Sequence, residues 1–326
     1  MTFTKLKGLN KEMKLDFFRP RVATRNGYGD ALIELGKNRN VVVLCADLVE
    51  STKVQKFKEK FPAQYIEVGV AEQNLVTLAA GLAAVGKIPF VSSYTAFCPG
   101  RCWEQIRTTI CYNNRPVKVI GAHAGISVGP DGATHQALED IATMRSLPNM
   151  IVIVPVDFEQ TFKATKAIAA FNGPAYMRFA RNDTEQVTTK GTPFEIGKAQ
   201  ILKDGKDAAI IVAGPLVYQC FEAALILQEQ GIDAMIINNH TIKPLDGKTI
   251  LAAAKKCKKI VTVEEAQITG GLGGAIAEFL SENYPVPIRR VGVRDRYGES
   301  GEPDELIVAF GLSAKDIVKE VLRLVK

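Results

Sequence analysis

The first feature of the sequence that could do chemistry is a single acid, Glu72, at the start of an apolar segment. Ile66, Val68 and Val70 alternate before it and indicate a half-buried strand, whereas the apolar run at 75–83 predicts a buried helix. A carboxyl group at such a junction loses hydration if a neighbouring chain covers it, which favours its neutral form and makes it a candidate proton donor. The alternative is an acid that only faces the positive end of the helix dipole.

A second feature is a long glycine-rich segment, residues 121–136, which we call the histidine loop. It contains two of the chain's three histidines, His123 and His135, together with Asp131. Glycines explain the turns of such a loop, but a purely structural loop has no need of these three side chains. Because imidazole changes charge near neutral pH, they could bind sugar hydroxyls and move protons. A zinc site is a weaker interpretation, since no third nitrogen or thiolate ligand is spaced with the histidines.

Aromatic and phosphate-binding candidates are spread through the first half of the chain. Tyr94 and Phe97 stand three residues apart after a predicted strand, where both rings could stack on a planar heterocycle. As core aromatics they would need no such explanation. Arg25, Ser51 and Arg181 lie at predicted helix or loop starts, where cationic and hydroxyl groups bind phosphate, although each could be an ordinary surface residue.

Two further features have no clear chemical role in the sequence. The run Gly-Gly-Leu-Gly-Gly at 270–274 resembles a dinucleotide fingerprint only loosely, and it is better explained as a tight turn before a helix. His240 and the pair Glu264 and Glu265 lie at predicted strand exits, without an evident mechanism.

The composition is that of an ordinary globular protein, with 326 residues, 47% of them hydrophobic and 23% charged, which is enough for about two domains. The net charge of +6 comes from dispersed Lys and Arg and does not indicate nucleic-acid binding. No apolar run approaches the roughly 18 residues that would span a membrane. The six cysteines lack metal-type spacing, so we expect reduced thiols and a cytoplasmic protein.

Helical and strand patterns alternate after a basic leader, and this predicts an α/β fold with a mainly parallel sheet covered by helices on both faces. In the first half, helices are predicted at 22–35, 75–86, 103–111, 137–146 and 159–171, and strands at 41–44, 89–92, 117–121, 151–156 and 176–179. Ligands of such sheets bind outside the carboxyl ends of the strands, so the loops that begin at Asp47, Glu67, Ser93 and His123 should share one rim.

A polar segment at 182–191 is interpreted as a linker to a second, smaller doubly wound unit. Its predicted strands are 208–213, 234–237, 260–263 and one near Val291, and its predicted helices are 217–230, 248–256, 274–283 and 315–325. The expected organisation is a leader at 1–20, a first domain at 21–187 and a C-terminal domain at 188–326.

Three motifs together carry a family resemblance: Val-Gly-Val-Ala-Glu-Gln-Asn, Ser-Tyr-Thr-Ala-Phe and His-Ala-Gly-Ile-Ser-Val-Gly-Pro-Asp-Gly-Ala-Thr-His-Gln. From about residue 21 onward, the chain resembles the pyrimidine-binding and C-terminal domains of transketolase. A full transketolase is about twice as long and has a further N-terminal domain. The chain is therefore similar to the C-terminal subunit of a split, two-chain transketolase.

The resemblance implies roles for the candidate residues. Glu72 would pair with the aminopyrimidine ring nitrogen of thiamine diphosphate and activate it, Tyr94 and Phe97 would hold that ring, and Asp47 would approach the cofactor. The implied substrate residues are His123 and Asp131 for the donor hydroxyls, and Arg25, Ser51, His135 and Arg181 for the sugar phosphate. With Glu72, the two histidines would be the catalytic residues.

The resemblance also implies a partner. Enzymes of this kind hold the diphosphate through Mg²⁺ or Ca²⁺ bound at a Gly-Asp-Gly motif that is followed by Asn-Asn. The sequence contains no Gly-Asp-Gly, and its two Asn-Asn pairs, at 113–114 and 238–239, stand without one. We therefore expect an N-terminal subunit that binds metal and diphosphate, and an α2β2 assembly in which Glu72 reaches cofactor held by another chain.

Three alternatives stay open. A fragment of a 1-deoxyxylulose-5-phosphate synthase would share Asp-Gly-x-Thr-His-Gln with this chain. The β subunit of a 2-oxo acid dehydrogenase has a similar size, but the phosphate-binding residues would have no purpose there. From a different class, the chain could be a catalytically silent partner that kept the fold. The favoured function is transfer of a two-carbon ketol unit between sugar phosphates.

Overall fold

The structure, a computed structural model, describes residues 3–326, except for the side chain of residue 4. A seven-stranded sheet organises the first half of the chain. Its strands, in spatial order, are Thr241–Lys243, Ile151–Ile153, Ala175–Arg178, Lys118–Ala122, Ile88–Tyr94, Val41–Cys45 and Tyr65–Glu67. Every neighbouring pair is parallel except the edge strand Thr241–Lys243, which runs antiparallel to Ile151–Ile153. The predicted α/β fold with a mainly parallel sheet is confirmed.

Helices cover both faces of this sheet. They are Thr24–Leu35, Gln55–Lys60, Glu72–Ala84, Trp103–Gln105, Asp140–Arg145 and Phe158–Ala170. Strand Val41–Cys45 shows how the faces are filled, because successive side chains of a strand point to opposite sides. Val42 and Leu44 pack with helix Glu72–Ala84, whereas Val43 packs with helices Thr24–Leu35 and Phe158–Ala170. All five strand residues are buried, as expected for a parallel strand in the middle of a sheet.

Several local predictions differ from the structure. The helix predicted at 103–111 is α-helical only in its first turn and continues as the π-helix Ile106–Cys111. The alternating segment before Glu72 is a strand only at Tyr65–Glu67, and Val70 is 69% exposed because the chain has already turned at Gly69, where φ is +68°. The helix that follows is not buried all round, since it exposes Leu78.

The C-terminal domain contains a five-stranded sheet with the spatial order Ile288–Val293, Ile260–Gln267, Ala208–Val212, Ala234–Asn238 and Gln200–Lys203. Its helices are Val217–Glu229, Gly247–Cys257, Leu272–Asn283, Pro303–Ala309 and Ala314–Val325. The antiparallel edge strand Gln200–Lys203 and the helix Pro303–Ala309 were not predicted. Both are short, and neither shows a clear apolar period.

The two halves share their cores. A single hydrophobic cluster contains Val152 and Tyr176 of the first sheet together with Ile250 and Leu272, which lie in helices of the C-terminal domain. The leader also packs on the C-terminal domain, where the Phe3 ring lies 5.9 Å from that of Phe221. The C-terminal domain therefore lies against the first one through a continuous apolar interface.

The segment predicted as a linker is packed in place. Asp183–Thr184 pairs with Val22–Ala23, and the buried carboxylate of Asp157 accepts hydrogen bonds from the backbone N–H groups of Val187 and Thr188 at 2.9 and 2.6 Å. The sequence suggested a linker because the segment is polar and rich in Thr and Gly. Two of its backbone N–H groups are instead hydrogen-bonded to a buried carboxylate of the first domain.

Candidate active site

The candidate residues gather where the strands of the first sheet end. Asp47 follows Val41–Cys45, Tyr94 ends Ile88–Tyr94, and His123 follows Lys118–Ala122. These three strands are parallel neighbours, so the residues after them lie along one edge of the sheet, as the sequence predicted.

Glu72 is the first residue of helix Glu72–Ala84 and is only 4% exposed. The preceding residue, Ala71, offers no side chain to cap the helix, so the acid itself stands at the positive end of the helix dipole. Within residues 3–326 its one ion pair is with Arg101, whose Nη1 lies 3.4 Å from Oε2. The chain therefore buries this carboxyl group without help from a neighbouring subunit.

Arg101 links Glu72 to the aromatic residues, and sequence analysis did not single it out. Its guanidinium carbon lies 4.3 Å from the centre of the Phe97 ring, and its backbone N–H donates to the carbonyl of Phe97 at 2.8 Å. A planar group with N–H donors thus lies over Phe97 and reaches Glu72. The sequence does contain one indication of this contact, because Phe97 and Arg101 are four residues apart. That spacing brings two side chains together only if the segment between them coils into a turn.

Four rings form one surface beside this acid. The centres of Tyr94 and His123 are 4.1 Å apart and those of Phe97 and His135 are 5.3 Å apart. Tyr94 and Phe97, predicted to share one side of their loop, have ring centres 5.9 Å apart. The structure therefore brings both histidines of the loop to the aromatic pair.

His123 is a neutral imidazole in this setting. It is 1% exposed, and burial lowers its pKa to about 3, with further lowering from the charges of Arg25, Arg181 and His135. Its Nε2 lies 3.4 Å from Nη1 of Arg25, and Nδ1 is buried without a hydrogen-bond partner among residues 3–326. Because the ring carries no charge near neutral pH, its unpartnered nitrogen is free to hydrogen-bond a ligand.

A cationic group adjoins His123. Arg25 Nη1 donates to the Ser51 carbonyl at 3.2 Å, and the Ser51 hydroxyl accepts from the Tyr94 hydroxyl at 2.9 Å. Burial lowers the pKa of Arg25, and the charge of Arg181 lowers it further, so the two arginines lie near each other. Neither forms an ion pair with a carboxylate in the part of the chain that the structure describes. An anionic ligand would relieve their repulsion.

Two predicted residues stand apart from these contacts. Asp47 is exposed, has a left-handed backbone with φ of 57°, and its N–H donates to Glu67 at 2.8 Å. Asp131 ends the short helix Ile126–Asp131 and is exposed; within residues 3–326 its side chain makes no hydrogen bond or ion pair. Both lie on the rim, where a ligand or another chain could reach them.

Comparison with known proteins identifies the family. Residues 20–186 match the family described as transketolase, pyrimidine binding domain, and residues 197–317 match transketolase, C-terminal domain. The chain therefore belongs to the transketolase family.

Within that family, the chain is similar to subunits of split enzymes. It is 47% identical to a transketolase C-terminal section from Methanocaldococcus jannaschii, over 93% of this chain and 96% of the relative. It is 43% identical to a 6-deoxy-6-sulfo-D-fructose transketolase subunit from a Clostridium species, over 90% and 92% of the two chains. A solved split-gene transketolase, described as an inactive β4 tetramer, is 44% identical with a TM-score of 0.88, over 93% and 98% of the two chains.

The chain is also similar, at lower identity, to 1-deoxy-D-xylulose-5-phosphate synthase, which is one of the three alternatives. The 1-deoxy-D-xylulose-5-phosphate synthase of Trichormus variabilis is 39% identical over 91% of this chain. The match covers 47% of that enzyme, so the chain spans about half its length.

The described residues fit the pyrimidine half of the thiamine diphosphate that this family uses. Glu72 offers a buried carboxyl group, and Phe97 and Tyr94 offer ring faces. The hydroxyl of Ser93 is buried and has no hydrogen-bond partner in the part of the chain that the structure describes. A metal site is a different matter. Within residues 3–326 no group of three or more His, Cys, Asp or Glu side chains is placed to hold an ion.

Proposed function

We propose that this chain is the C-terminal subunit of a two-chain transketolase. Together with an N-terminal subunit it would transfer a two-carbon ketol unit from a ketose phosphate to an aldose phosphate. The observation that carries this proposal is a chain of contacts: Arg101 joins the buried Glu72 to Phe97, and the rings of Phe97, Tyr94 and His123 follow one another toward Arg25.

Glu72 is the residue that we assign to the cofactor. Its carboxyl group would share a proton with the aminopyrimidine ring nitrogen, while Phe97 supports the ring face. In a water-poor site such a hydrogen bond is stronger than in solvent. The guanidinium of Arg101 would have to leave its position over Phe97 for the ring to enter. When bound, thiamine diphosphate supplies the electron sink for the carbon–carbon bond that is broken.

The anionic end of the sugar is assigned to Arg25, Ser51 and Arg181. The resemblance alone placed His135 with them and His123 at the donor hydroxyls, but the geometry favours the opposite assignment. His123 lies next to Arg25, whereas His135 lies edge-to-face with Phe97, the residue that we assign to the cofactor ring. We therefore propose that His123 binds the anionic end as a neutral donor or acceptor, and that His135 and Asp131 contact the donor hydroxyls.

The partner is assigned the other half of the cofactor. An N-terminal subunit with Gly-Asp-Gly and Asn-Asn would bind Mg²⁺ or Ca²⁺ and the diphosphate, and two such pairs would form an α2β2 enzyme. Two observations support this. The helix that begins at Glu72 leaves Leu78 exposed, with Val85, which is 76% exposed, just beyond its end. The solved relative that contains only β subunits is described as inactive.

Reconstitution tests the proposal. The chain is co-expressed with its candidate N-terminal subunit, and the purified pair is given thiamine diphosphate and Mg²⁺. We expect it to form sedoheptulose 7-phosphate from xylulose 5-phosphate and ribose 5-phosphate, and we expect neither chain alone to do so.

Other donors separate the remaining functions. Pyruvate with glyceraldehyde 3-phosphate tests the deoxyxylulose-phosphate synthase, and 6-deoxy-6-sulfofructose tests whether a sulfonate replaces the phosphate at Arg25 and Arg181. Turnover of pyruvate without ketol transfer would overturn the transketolase assignment. A pair that binds cofactor but turns over none of these donors would favour the silent partner.

A further inference from the structure

The histidine loop is held from outside by the C-terminal domain. Helix Pro303–Ala309 packs along the short helix Ile126–Asp131 within the loop. The side-chain amide of Gln136 donates to the carbonyl of Glu299 at 2.9 Å, and the N–H of Gln267 donates to the carbonyl of Leu138 at 2.8 Å. The outer wall of the loop is therefore formed by the end of the strand Ile260–Gln267 and by residues that follow it.

Glu265, near the end of that strand, contacts the loop directly. Its carboxylate is buried, with the residue 7% exposed, and Oε1 accepts a hydrogen bond from the N–H of Ser127 at 2.5 Å. Gly125 lies beside it with φ of +87°, and a Cβ atom there would come within 2.5 Å of Oε1. The left-handed backbone favours glycine at this position, and the absence of a side chain leaves room for the carboxylate of Glu265.

Glu265 is itself held rigidly by the first domain. Its carbonyl accepts from Nη2 of Arg178 at 3.1 Å, and Nη1 of Arg178 lies 3.2 Å from Oδ1 of Asp140. Arg178 and Asp140 are 4% and 3% exposed. The adjacent Glu264 has a different task, because its carboxylate accepts from the N–H groups of Leu272 and Gly273 and caps a helix. Glu265 therefore binds the histidine loop, whereas Glu264 binds the start of a helix within its own domain.

We propose that Glu265 is a positioning residue, which fixes the histidine loop so that His123 and His135 keep their places beside Tyr94 and Phe97. The inference rests on the proposed function, in which both imidazoles contact substrate. Without the carboxylate, the buried N–H of Ser127 loses its acceptor, and space opens next to the loop. A shift of about 1 Å at catalytic groups can cost up to 100-fold in rate, so we expect kcat/KM to fall roughly 10- to 100-fold.

The three histidines of the chain allow a direct test without partner or cofactor. Side-chain NMR of the chain carrying ¹⁵N-labelled histidine gives one set of signals for each imidazole. In Glu265→Ala and Glu265→Asp we expect the signals of His123 and His135 to shift or broaden. The third, His240, stacks on Phe194 with ring centres 4.4 Å apart and should not change.

Two matched variants complete the design. Glu265→Gln keeps the length of the side chain and an oxygen that accepts from Ser127, so it should leave the signals of His123 and His135 near their wild-type positions. Glu264→Gln changes the neighbouring acid and should leave them in place as well. In the reconstituted pair, Glu265→Ala should lower kcat/KM while Glu265→Gln retains it within about twofold.

The outcomes are decisive in either direction. Unchanged signals of His123 and His135 in both Glu265→Ala and Glu265→Asp would overturn the proposal, as would equal changes at His240 or a failure of Glu265→Gln to preserve the spectrum. If Glu265→Ala does not fold, Glu265→Asp decides alone. If the loop signals move but the wild-type pair transfers no ketol unit, the proposed function fails and the positioning role stands.

Discussion

His123 and Glu72 show how burial changes what a side chain can do. The sequence identified both, because a histidine in a glycine-rich loop and an acid before an apolar run are unusual placements. It could not show that His123 is neutral, since its pKa is lowered by burial and by Arg25 and Arg181, which are distant in sequence. Nor could it find Arg101, whose position over Phe97 depends on a turn.

The pH dependence of stability tests the state of His123. Its pKa is about 3 in the folded chain against 6.5 ordinarily, so between these values the unfolded chain binds more protons. The contribution is fully present above pH 6.5 and is lost as pH falls toward 3. Replacing His123 by Gln should therefore reduce the loss of unfolding free energy between pH 7 and pH 5 by roughly 1 to 2 kcal/mol.

Urea unfolding of both proteins at the two pH values measures this difference. His240 has the same lowered pKa, also from burial, and remains in the variant, so part of the acid sensitivity should persist. Identical losses in wild type and His123→Gln would contradict a neutral, buried His123.

At the scale of elements, helices and strands with a strong apolar period were predicted correctly, whereas short polar elements were missed. Strand Val41–Cys45 and helix Ala314–Val325 were found because their patterns are local. Strand Gln200–Lys203 and the packed segment 182–191 were missed because distant partners decide them. The carboxylate of Asp157 supplies the acceptors for that segment, 30 residues away in the chain.

Asp157→Ala should therefore destabilise the protein strongly. The carboxylate is fully buried and accepts from the backbone of Gln160, Val187 and Thr188 and from the Thr188 hydroxyl. Losing it leaves buried donors unpaired, and we expect a loss of about 3 kcal/mol or more in urea unfolding. Glu282→Ala, at an exposed acid, should change stability by less than about 0.5 kcal/mol. A comparable effect of the two substitutions would contradict the packed segment.

At the scale of the whole molecule, the apolar surface of helix Glu72–Ala84 is the feature that the single chain leaves unexplained. The sequence predicted a helix with little contact with water, yet Leu78 is 37% exposed. The prediction and the structure agree if another subunit covers this face. An apolar position in the sequence can be buried either within its own chain or against another subunit, and only the first kind of burial is visible in a single chain.

Leu78→Asp should then weaken the proposed α2β2 assembly without unfolding the chain. A charge on an apolar contact surface opposes its burial, and so we expect a shift toward smaller species in sedimentation velocity, with an unchanged far-UV circular dichroism spectrum. Thr77→Asp, at the neighbouring exposed position of the same helix, is a matched control for added charge. An unchanged distribution in Leu78→Asp would place the interface elsewhere.

The central claim is that Glu72 activates thiamine diphosphate held by a partner subunit. Ketol transfer by the reconstituted pair, measured with Glu72→Gln in place of the wild-type chain, tests it most directly. Because proton transfer by a positioned group contributes about 10²- to 10⁴-fold, we expect kcat to fall at least 100-fold, with the assembly intact. Glu104→Gln, at an exposed acid on the next helix, should retain full activity. Turnover by Glu72→Gln at the wild-type rate would contradict the account.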